Sequence, residues 1–335
     1  MKNFTYYKPS TPEQAVALLD EKWGSSELLA GGTDLLDLMK EYVAQPSKIV
    51  SVAGWPGGVG AKAGTRIVEG QIDASATLAE IAEFPAFKQA YPALTTAASM
   101  IGGPQIRNMG TLGGNLCQRN RCWYFRDEHV VCLLKGGKKC FATDGENRYH
   151  AVFTEGHPCV IVHPSTLAPV LIALNASAEV LGPKGKRKLE LAKFYQAPKS
   201  EKDREHVLSP NEIVLSVTIP DGGPNFKNAS YEVRHKQAYD WPLVQAAVAF
   251  KLDGGKASGV KVVLGHVAPT PHLSEDAAKA LEGQAVTDGS ATEAGIAAGK
   301  GAKPLSQNAY KVKLIEVAVK RAILTAAGMK KYWEA

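Results

Sequence analysis

The sequence lacks the features that would place it in or across a membrane. Its first residues, MKNFTYYKPSTPEQA, contain no apolar core of the kind that secretory signals carry. The longest apolar runs, such as PVLIALNASAEVLG, are shorter than the about 20 residues that a spanning helix needs. We therefore expect a soluble chain that resides in the cytoplasm, with no membrane insertion.

Cysteine is scarce and unevenly placed, and charge is not concentrated. The 335 residues include five cysteines, four of them between Cys117 and Cys140. An odd, clustered set fits a disulfide framework poorly. The formal net charge is +6, with basic and acidic runs alternating along the chain. Because nucleic-acid binders usually gather basic residues on one face, we expect no nucleic-acid partner.

Several catalytic and nucleotide-binding signatures are also absent. The chain contains neither a Gly-x-Gly-x-x-Gly fingerprint nor a Gly-x-x-x-x-Gly-Lys-Ser/Thr loop, so a Rossmann site or a P-loop is not indicated. No spacing suggests a Ser-His-Asp triad or a metal-activated water. We accordingly assign no catalytic residue to this chain.

Composition and breakers divide the chain into three parts. An apolar content of 45% is ordinary for a globular protein, and the length suits two or three domains. Residues 1–57 form a small α/β unit that ends in the breaker GWPGG, and residues 58–221 close on the alternating strand EIVLSVTIP. Residues 226–335 carry antiparallel strands followed by helices, ending in an amphipathic helix. The tract GSATEAGIAAGKGAKP is flexible in composition.

The stretch SELLAGGTDLLDLMKEYV predicts a strand, a Gly31-Gly32 turn and a helix capped by Thr33. Glycines permit close backbone approach to a ligand, and a helix start favours phosphate. An ordinary strand-turn-helix explains the same residues, so this loop alone does not decide between the two interpretations.

The segment IGGPQIRNMGTLGGN fits neither a helical nor a strand period. Long irregular segments inside compact domains are usually functional. Its small residues, amides, hydroxyl and arginine suit a pyrophosphate or a flat heteroaromatic ring, although a structural loop remains an alternative. Two such loops in one chain suggest a dinucleotide held between two lobes.

The cysteine spacing leaves three possibilities open. Structural zinc usually shows repeated C-x2-4-C pairs, and ferredoxins show C-x2-C-x2-C, and neither pattern is present. Basic neighbours, among them Arg119, Arg121 and Arg126, predict lowered thiol pKa values and hence thiolate ligands. A metal or cluster site, inert buried thiols and disulfides all remain compatible with the spacing.

Three motifs, LAGGTDLLDLMK, PQIRNMGTLGGNL and QRNRCWYFRD, together resemble the FAD-binding medium subunits of the molybdenum hydroxylases. This is the family of xanthine dehydrogenase, carbon monoxide dehydrogenase and 4-hydroxybenzoyl-CoA reductase, and the resemblance covers nearly the whole chain. It implies an α+β protein with a PCMH-type FAD-binding fold of two α/β subdomains. A C-terminal domain of antiparallel sheet plus helices, of the CO dehydrogenase flavoprotein C-terminal type, would follow. The cysteine segment resembles the branch of periplasmic aldehyde oxidoreductase, whose flavin subunit also holds a [4Fe-4S] cluster.

The resemblance also implies site residues. The FAD contacts would come from the two loops and from the start of the third part: Leu29, Ala30, Gly31, Gly32, Thr33, Asp34, Leu35, Asn108, Thr111, Gly114, Asn115, Lys236 and Tyr239. The cluster ligands would be Cys122, Cys132, Cys140 and Cys159, with Cys117 replacing Cys159 as the minority alternative. Thr166 stands where the family often has an aspartate near the flavin.

The implied function is electron transfer within a heterotrimer that includes a small [2Fe-2S] subunit and a large molybdopterin subunit. Electrons from molybdenum would pass through iron–sulfur centres to FAD and then to an external acceptor. A partner with an export signal could carry the chain into the periplasm. Two alternatives stay open: a flavin subunit without a cluster, and a scaffold that has lost FAD.

Overall fold

Three sheets, each drawn from one stretch of the chain, organise the protein. The structure is a computed structural model that describes residues 1–53, 66–68, 70–220, 226–235, 239–330 and 332–333. The boundaries expected at 57/58 and at 221 lie outside the described residues, so the limits of the three parts stay a prediction. Within the described ranges, no helix has both the length and the apolar character to cross a bilayer.

The first sheet is parallel, with strand order β1-β3-β2 and helices in the connections. Its elements are β1 (Thr5–Tyr7), α1 (Pro12–Leu18), β2 (Ser26–Leu29), α2 (Leu35–Lys40) and β3 (Lys48–Ser51). Helix α2 is shorter than predicted, because the N–H groups of Val43 and Ala44 both turn back to the Leu38 carbonyl, at 2.9 and 3.0 Å. Tyr42, which directly precedes Val43, has a left-handed backbone with φ 55°. Strand β2 is an edge strand, so one side of it faces the second unit.

The second sheet has the order β4-β5-β8-β6-β7 and is antiparallel. Its strands are β4 (Ile67–Val68), β5 (Gln71–Asp73), β6 (Ser177–Gly182), β7 (Gly185–Glu190) and β8 (Ile213–Thr218). The long excursion between β5 and β6 carries seven described helices, α3 (Leu78–Glu83), α4 (Pro85–Ala90), α5 (Pro92–Met100), α6 (Pro104–Met109), α7 (Leu112–Cys117), α8 (Trp123–Arg126) and α9 (Leu167–Ala173). This excursion contains the second glycine segment and all five cysteines.

The third sheet, of order β12-β11-β10-β9, is antiparallel as predicted. Its strands are β9 (Lys227–Val233), β10 (Val244–Asp253), β11 (Lys256–Gly265) and β12 (His272–Leu273), and the helices are α10 (Glu275–Leu281), α11 (Asp288–Ala298) and α12 (Tyr310–Ala326). The expectation of flexibility for the alanine-glycine tract is wrong over α11. A capping box between Thr287 and Ser290 starts this helix, and its small residues pack closely against α12.

The third unit packs directly on the second. Helix α9 lies against β10 and β11, and Ala247, Ala249 and Val263 belong to the same apolar core as α9. The segment that follows the cysteine-rich stretch returns between the two units. There, the N–H groups of Val152 and His163 donate to the carbonyls of Val267 and Ala268, both at 2.8 Å. Cys159 lies in the segment between these two contacts.

Candidate functional site

The first glycine loop, between β2 and α2, packs against the second. A Cβ on Gly31 would lie 1.7 Å from the Met109 carbonyl oxygen, so only glycine permits this contact. Gly32 has φ 74°, which turns the chain toward α2. The predicted cap by Thr33 is wrong, because Asp34 is the residue that precedes α2 and it makes no side-chain cap. The Asp34 side chain is engaged elsewhere.

The second glycine segment was predicted to be irregular, and this prediction is wrong. The segment consists of α6 and α7 joined at Gly110. Thr111 begins α7, and its Oγ1 accepts from the Gly114 N–H at 3.1 Å. Each helix has only six residues, too few to show a helical period, and α7 also contains Gly113 and Gly114. Asn108 is exposed on α6, whereas Asn115 is buried and its Oδ1 accepts from the Ser165 hydroxyl at 2.7 Å.

Three cavities adjoin these loops. The first cavity, of about 290 Å³, lies between the first two units and is lined by Gly31–Asp34, Thr111 and Gly114. The second, of about 150 Å³, shares Thr33, Asp34, Thr111 and Gly114 with the first and reaches Tyr239 and Trp241 of the third unit. The third, of about 840 Å³, shares Arg121 and Trp241 with the second and is also lined by Cys122. The three cavities therefore lie next to one another, from the glycine loops to the cysteine segment.

Asp34 ties the first loop to the cysteine segment. Its carboxylate accepts from the Arg119 backbone N–H at 2.9 Å and pairs with Arg121 at 2.9 Å and Arg126 at 2.6 Å. Burial lowers the pKa of Arg121 to about 10, and the neighbouring Asp34 opposes that shift. The Arg121 guanidinium also stacks on the Trp241 ring, 4.4 Å from its centroid. This stack separates the second and third cavities.

Buried polar atoms without hydrogen-bond partners line the first cavity. Among the described residues, they include both amide atoms of Gln45 and Nδ1 of His206. Burial lowers the pKa of His206 to about 4, so its ring is neutral near pH 7 and offers both a donor and an acceptor. Buried polar groups are rarely left unpaired, which indicates that a polar ligand completes this cavity. Neither residue lies in a motif, so no sequence signal singled them out.

The four cysteines predicted as ligands lie together, and Cys117 lies apart. Cys122, Cys132 and Cys159 belong to one small apolar cluster with Phe125. Cys140 and Cys159 share a hydrogen bond, which raises the pKa of Cys159 and lowers that of Cys140. Cys117 instead packs against the core of the second unit. All five cysteines are free of disulfides.

The prediction that basic neighbours lower the thiol pKa values is wrong for every cysteine except Cys140, whose pKa is lowered chiefly by its hydrogen bond with Cys159. Burial raises the pKa of the Cys122 thiol to about 12. Arg121 and Arg126 turn to Asp34, and Arg119 pairs with Glu205 at 2.8 Å, so their charges are neutralised by carboxylates. The sulfurs nevertheless have several backbone amide donors: Tyr124 and Phe125 at Cys122, Leu134 and Cys132 itself at Cys132, Val160 and Ala142 at Cys140, and Ile161 at Cys159.

A single metal ion does not fit the described residues. Zinc binds sulfur at about 2.3 Å, which brings four thiols to within about 4 Å of one another. No three His, Cys, Asp or Glu side chains of the described residues converge in a way that could hold one metal ion.

The remaining positions singled out in the sequence are Lys236, Tyr239 and Thr166, and the last two differ in how far they are buried. Lys236 lies outside the described residues. Tyr239 is 72% exposed at the rim of the second cavity. Thr166 is buried, with its Oγ1 3.4 Å from Nε2 of His266, and its carbonyl accepts from Gln245 at 2.9 Å. Thr166 therefore contributes to the contact between the second and third units.

Residues 2–222 match the family described as FAD binding domain in molybdopterin dehydrogenase. Residues 229–326 match the CO dehydrogenase flavoprotein C-terminal domain. The predicted α+β fold, with its FAD-binding part and its C-terminal domain, is confirmed by these matches and by the solved structures below.

Among curated proteins, the chain is 35% identical over 294 residues to the aldehyde oxidoreductase FAD-binding subunit PaoB of Escherichia coli K12, covering 86% of this chain and 89% of that one. It is 27% identical over 329 residues to the carbon monoxide dehydrogenase medium chain of Hydrogenophaga pseudoflava, covering 96% of each. A solved carbon monoxide dehydrogenase of Hydrogenophaga pseudoflava superposes with a TM-score of 0.75 at 25% identity, covering 98% of both chains. Quinoline 2-oxidoreductase of Pseudomonas putida 86 shares the fold, with a TM-score of 0.72 at 19% identity.

Proposed function

The chain belongs to the FAD-binding medium subunits of the molybdenum hydroxylase family, and we propose that it carries electrons within an aldehyde oxidoreductase type complex. In this proposal, electrons from a large molybdopterin subunit and a small [2Fe-2S] subunit reach FAD on this chain and leave for an external acceptor. The 35% identity to an aldehyde oxidoreductase FAD-binding subunit favours aldehydes as the substrates of the whole complex.

The first and second cavities would hold the FAD. The observation that carries this placement is the pair of glycine loops facing one cavity whose wall holds unpaired buried polar atoms. The backbone N–H groups of Gly32–Asp34 make no hydrogen bond among the described residues and would face the pyrophosphate. Those of Gly113 and Gly114 already donate, to the Ala74 carbonyl and to Thr111 Oγ1. Gln45 and His206 would pair with polar atoms deeper in the first cavity. When bound, FAD supplies electron transfer in steps of one or two electrons.

Cys122, Cys132, Cys140 and Cys159 would hold a [4Fe-4S] cluster. Their grouping, the separate position of Cys117 and the backbone amides directed at the sulfurs support this ligand set. The cluster would supply one-electron storage beside the third cavity. Amide donors stabilise negative charge on ligand sulfur, and the surrounding apolar residues exclude water.

Iron, sulfide and FAD analysis of anaerobically purified complex tests the proposal, together with EPR after dithionite reduction. We expect one FAD and about four irons in this subunit beyond those of the [2Fe-2S] partner. FAD without the extra iron would leave a flavin subunit lacking a cluster. A chain with neither cofactor would overturn the electron-transfer role.

A pair of cysteine variants tests the ligand set. Cys140→Ser should lose most of the extra iron, because serine is a poor ligand for iron–sulfur clusters. Cys117→Ser is the matched control and should keep the full iron content, because Cys117 packs in the core away from the other thiols. Iron loss from Cys117→Ser with retention in Cys159→Ser would instead identify Cys117 as the fourth ligand.

A further inference from the structure

His150 lies directly beside Cys122. The imidazole Nε2 is 3.2 Å from the Cys122 Sγ, and the histidine is 3% exposed. The rings of Trp123 and Tyr124 enclose it, with centroids at 5.5 and 6.3 Å. A hydrogen bond in such an apolar enclosure is stronger than one in water.

The main chain around His150 is clamped by polar contacts with the third unit. Asn308 Nδ2 donates to the carbonyls of His150 and Ala151, both at 3.1 Å. Lys311 Nζ donates to the Tyr149 carbonyl at 2.8 Å. The buried imidazole is consequently fixed in position relative to the Cys122 sulfur.

The contact with sulfur determines which ring nitrogen has to carry the proton. Nε2 is the nitrogen that faces Cys122, 3.2 Å from Sγ. A thiolate that ligates iron carries no proton and can only accept a hydrogen bond. A hydrogen bond across this contact therefore requires the proton to be on Nε2 of His150.

Cys122 is also distinct among the four proposed ligands by its location. It lines the third cavity, which the other three cysteines do not, and this cavity adjoins the Arg121–Trp241 stack. Among the four proposed ligands, Cys122 is thus the cysteine on the side that faces the proposed flavin cavities. A hydrogen-bond donor beside Cys122 therefore acts on the ligand sulfur nearest to the proposed flavin.

We propose that His150 is a positioning residue that donates a hydrogen bond from Nε2 to the Cys122 sulfur and thereby raises the reduction potential of the bound cluster. This inference rests on the proposed function, because it requires a cluster on Cys122. A donor at a ligand sulfur stabilises the reduced, more negative cluster. Removing the donor makes reduction less favourable.

The test compares His150→Phe, which retains an aromatic ring without a donor, with His150→Gln, which retains an N–H donor. Both are measured in the intact complex by EPR-monitored redox titration. We expect His150→Phe to lower the reduction equilibrium constant of the cluster about tenfold, a shift of about 59 mV for one electron. His150→Gln should restore most of this shift. His272→Phe, which replaces a histidine stacked on Phe153, should leave the potential unchanged.

The outcomes separate this inference from the proposed function. A wild-type complex without the extra iron would refute the cluster itself. A full iron content in His150→Phe with an unchanged potential would refute the role of His150 alone. Iron loss from His150→Phe, with iron and potential retained in His150→Gln, would support the hydrogen bond. Iron loss from both variants would overturn the tuning role, because the residue would then be required for assembly.

Discussion

The carboxylate of Asp34 joins the first glycine loop to the cysteine segment through three nitrogen donors. Arg121 and Arg126 are both largely buried beside it, with side-chain exposures of 19% and 13%. Removing this anion would leave Arg121 without its ion-pair partner in a partly dry environment, whereas Arg126 would keep its pair with Asp37 at 2.8 Å. Asp34 thus contributes to the relative placement of the two proposed cofactors.

Asp34→Asn should lower the free energy of unfolding by about 2 kcal/mol, somewhat less than a fully buried pair would cost. The FAD and iron contents should fall together, because the same loop adjoins both sites. Denaturant titration and cofactor analysis measure these effects. Glu275→Gln, which breaks the exposed pair with Lys279, is the control and should change neither. Unchanged stability and cofactor content in Asp34→Asn would contradict the joining role.

At the scale of elements, small residues decide how closely helices approach. A Cβ on Gly295 of α11 would lie 2.4 Å from the Glu316 carbonyl oxygen of α12. Gly289, near the start of the same helix, meets nothing closer than 3.7 Å. The alanine-glycine composition that predicts flexibility therefore builds a close helix pair, because the pattern does not show which faces meet.

Gly295→Ala should destabilise the protein by about 2 kcal/mol, because the added methyl forces the two helices apart. Gly289→Ala on the same helix should instead stabilise it by about 0.5 kcal/mol, since alanine is the better helix former and space is available. Chemical denaturation of the two variants gives both values. Equal effects of the same sign would rule out the close approach of α11 and α12.

At the scale of the whole molecule, four described histidines are buried and held neutral. Burial lowers the pKa of His150 and His206 to about 4 and that of His163 to about 3, and it also lowers the pKa of His266. All four lie in the second unit or where it meets the third. The unfolded chain binds protons at these histidines near pH 6.5, whereas the folded chain does not.

Stability should therefore be complete above about pH 6.5 and fall as the pH decreases toward about 4. At pH 5, each of these histidines should lower the free energy of unfolding by on the order of 2 kcal/mol relative to pH 7.5. Thermal unfolding of the protein between pH 7.5 and pH 5 measures this slope. His129→Gln, at an 85% exposed side chain, should not change it. A transition temperature independent of pH over this range would contradict the neutral burial.

Some features of the fold could be predicted from the local sequence pattern, and others could not. The strand-turn-helix at Gly31, the alternating strands of the third sheet and the amphipathic α12 are visible in the sequence because each signal lies within one element. The cap at Thr33, the helices α6 and α7 and the ordered α11 were predicted wrongly, since their residues respond to contacts made far along the chain. No sequence motif pointed to Gln45, His206 or His150 as candidate site residues.

The sequence by itself determined the family, the α+β class and the set of candidate residues, because motifs and periodicity are properties of neighbouring positions. Only the tertiary structure decided which of those residues meet. It brings both glycine loops to one cavity, sets Cys117 apart from the other four thiols, and directs the arginines to Asp34 and Glu205 rather than to sulfur. These outcomes depend on burial and on pairs distant in sequence, which local pattern does not encode.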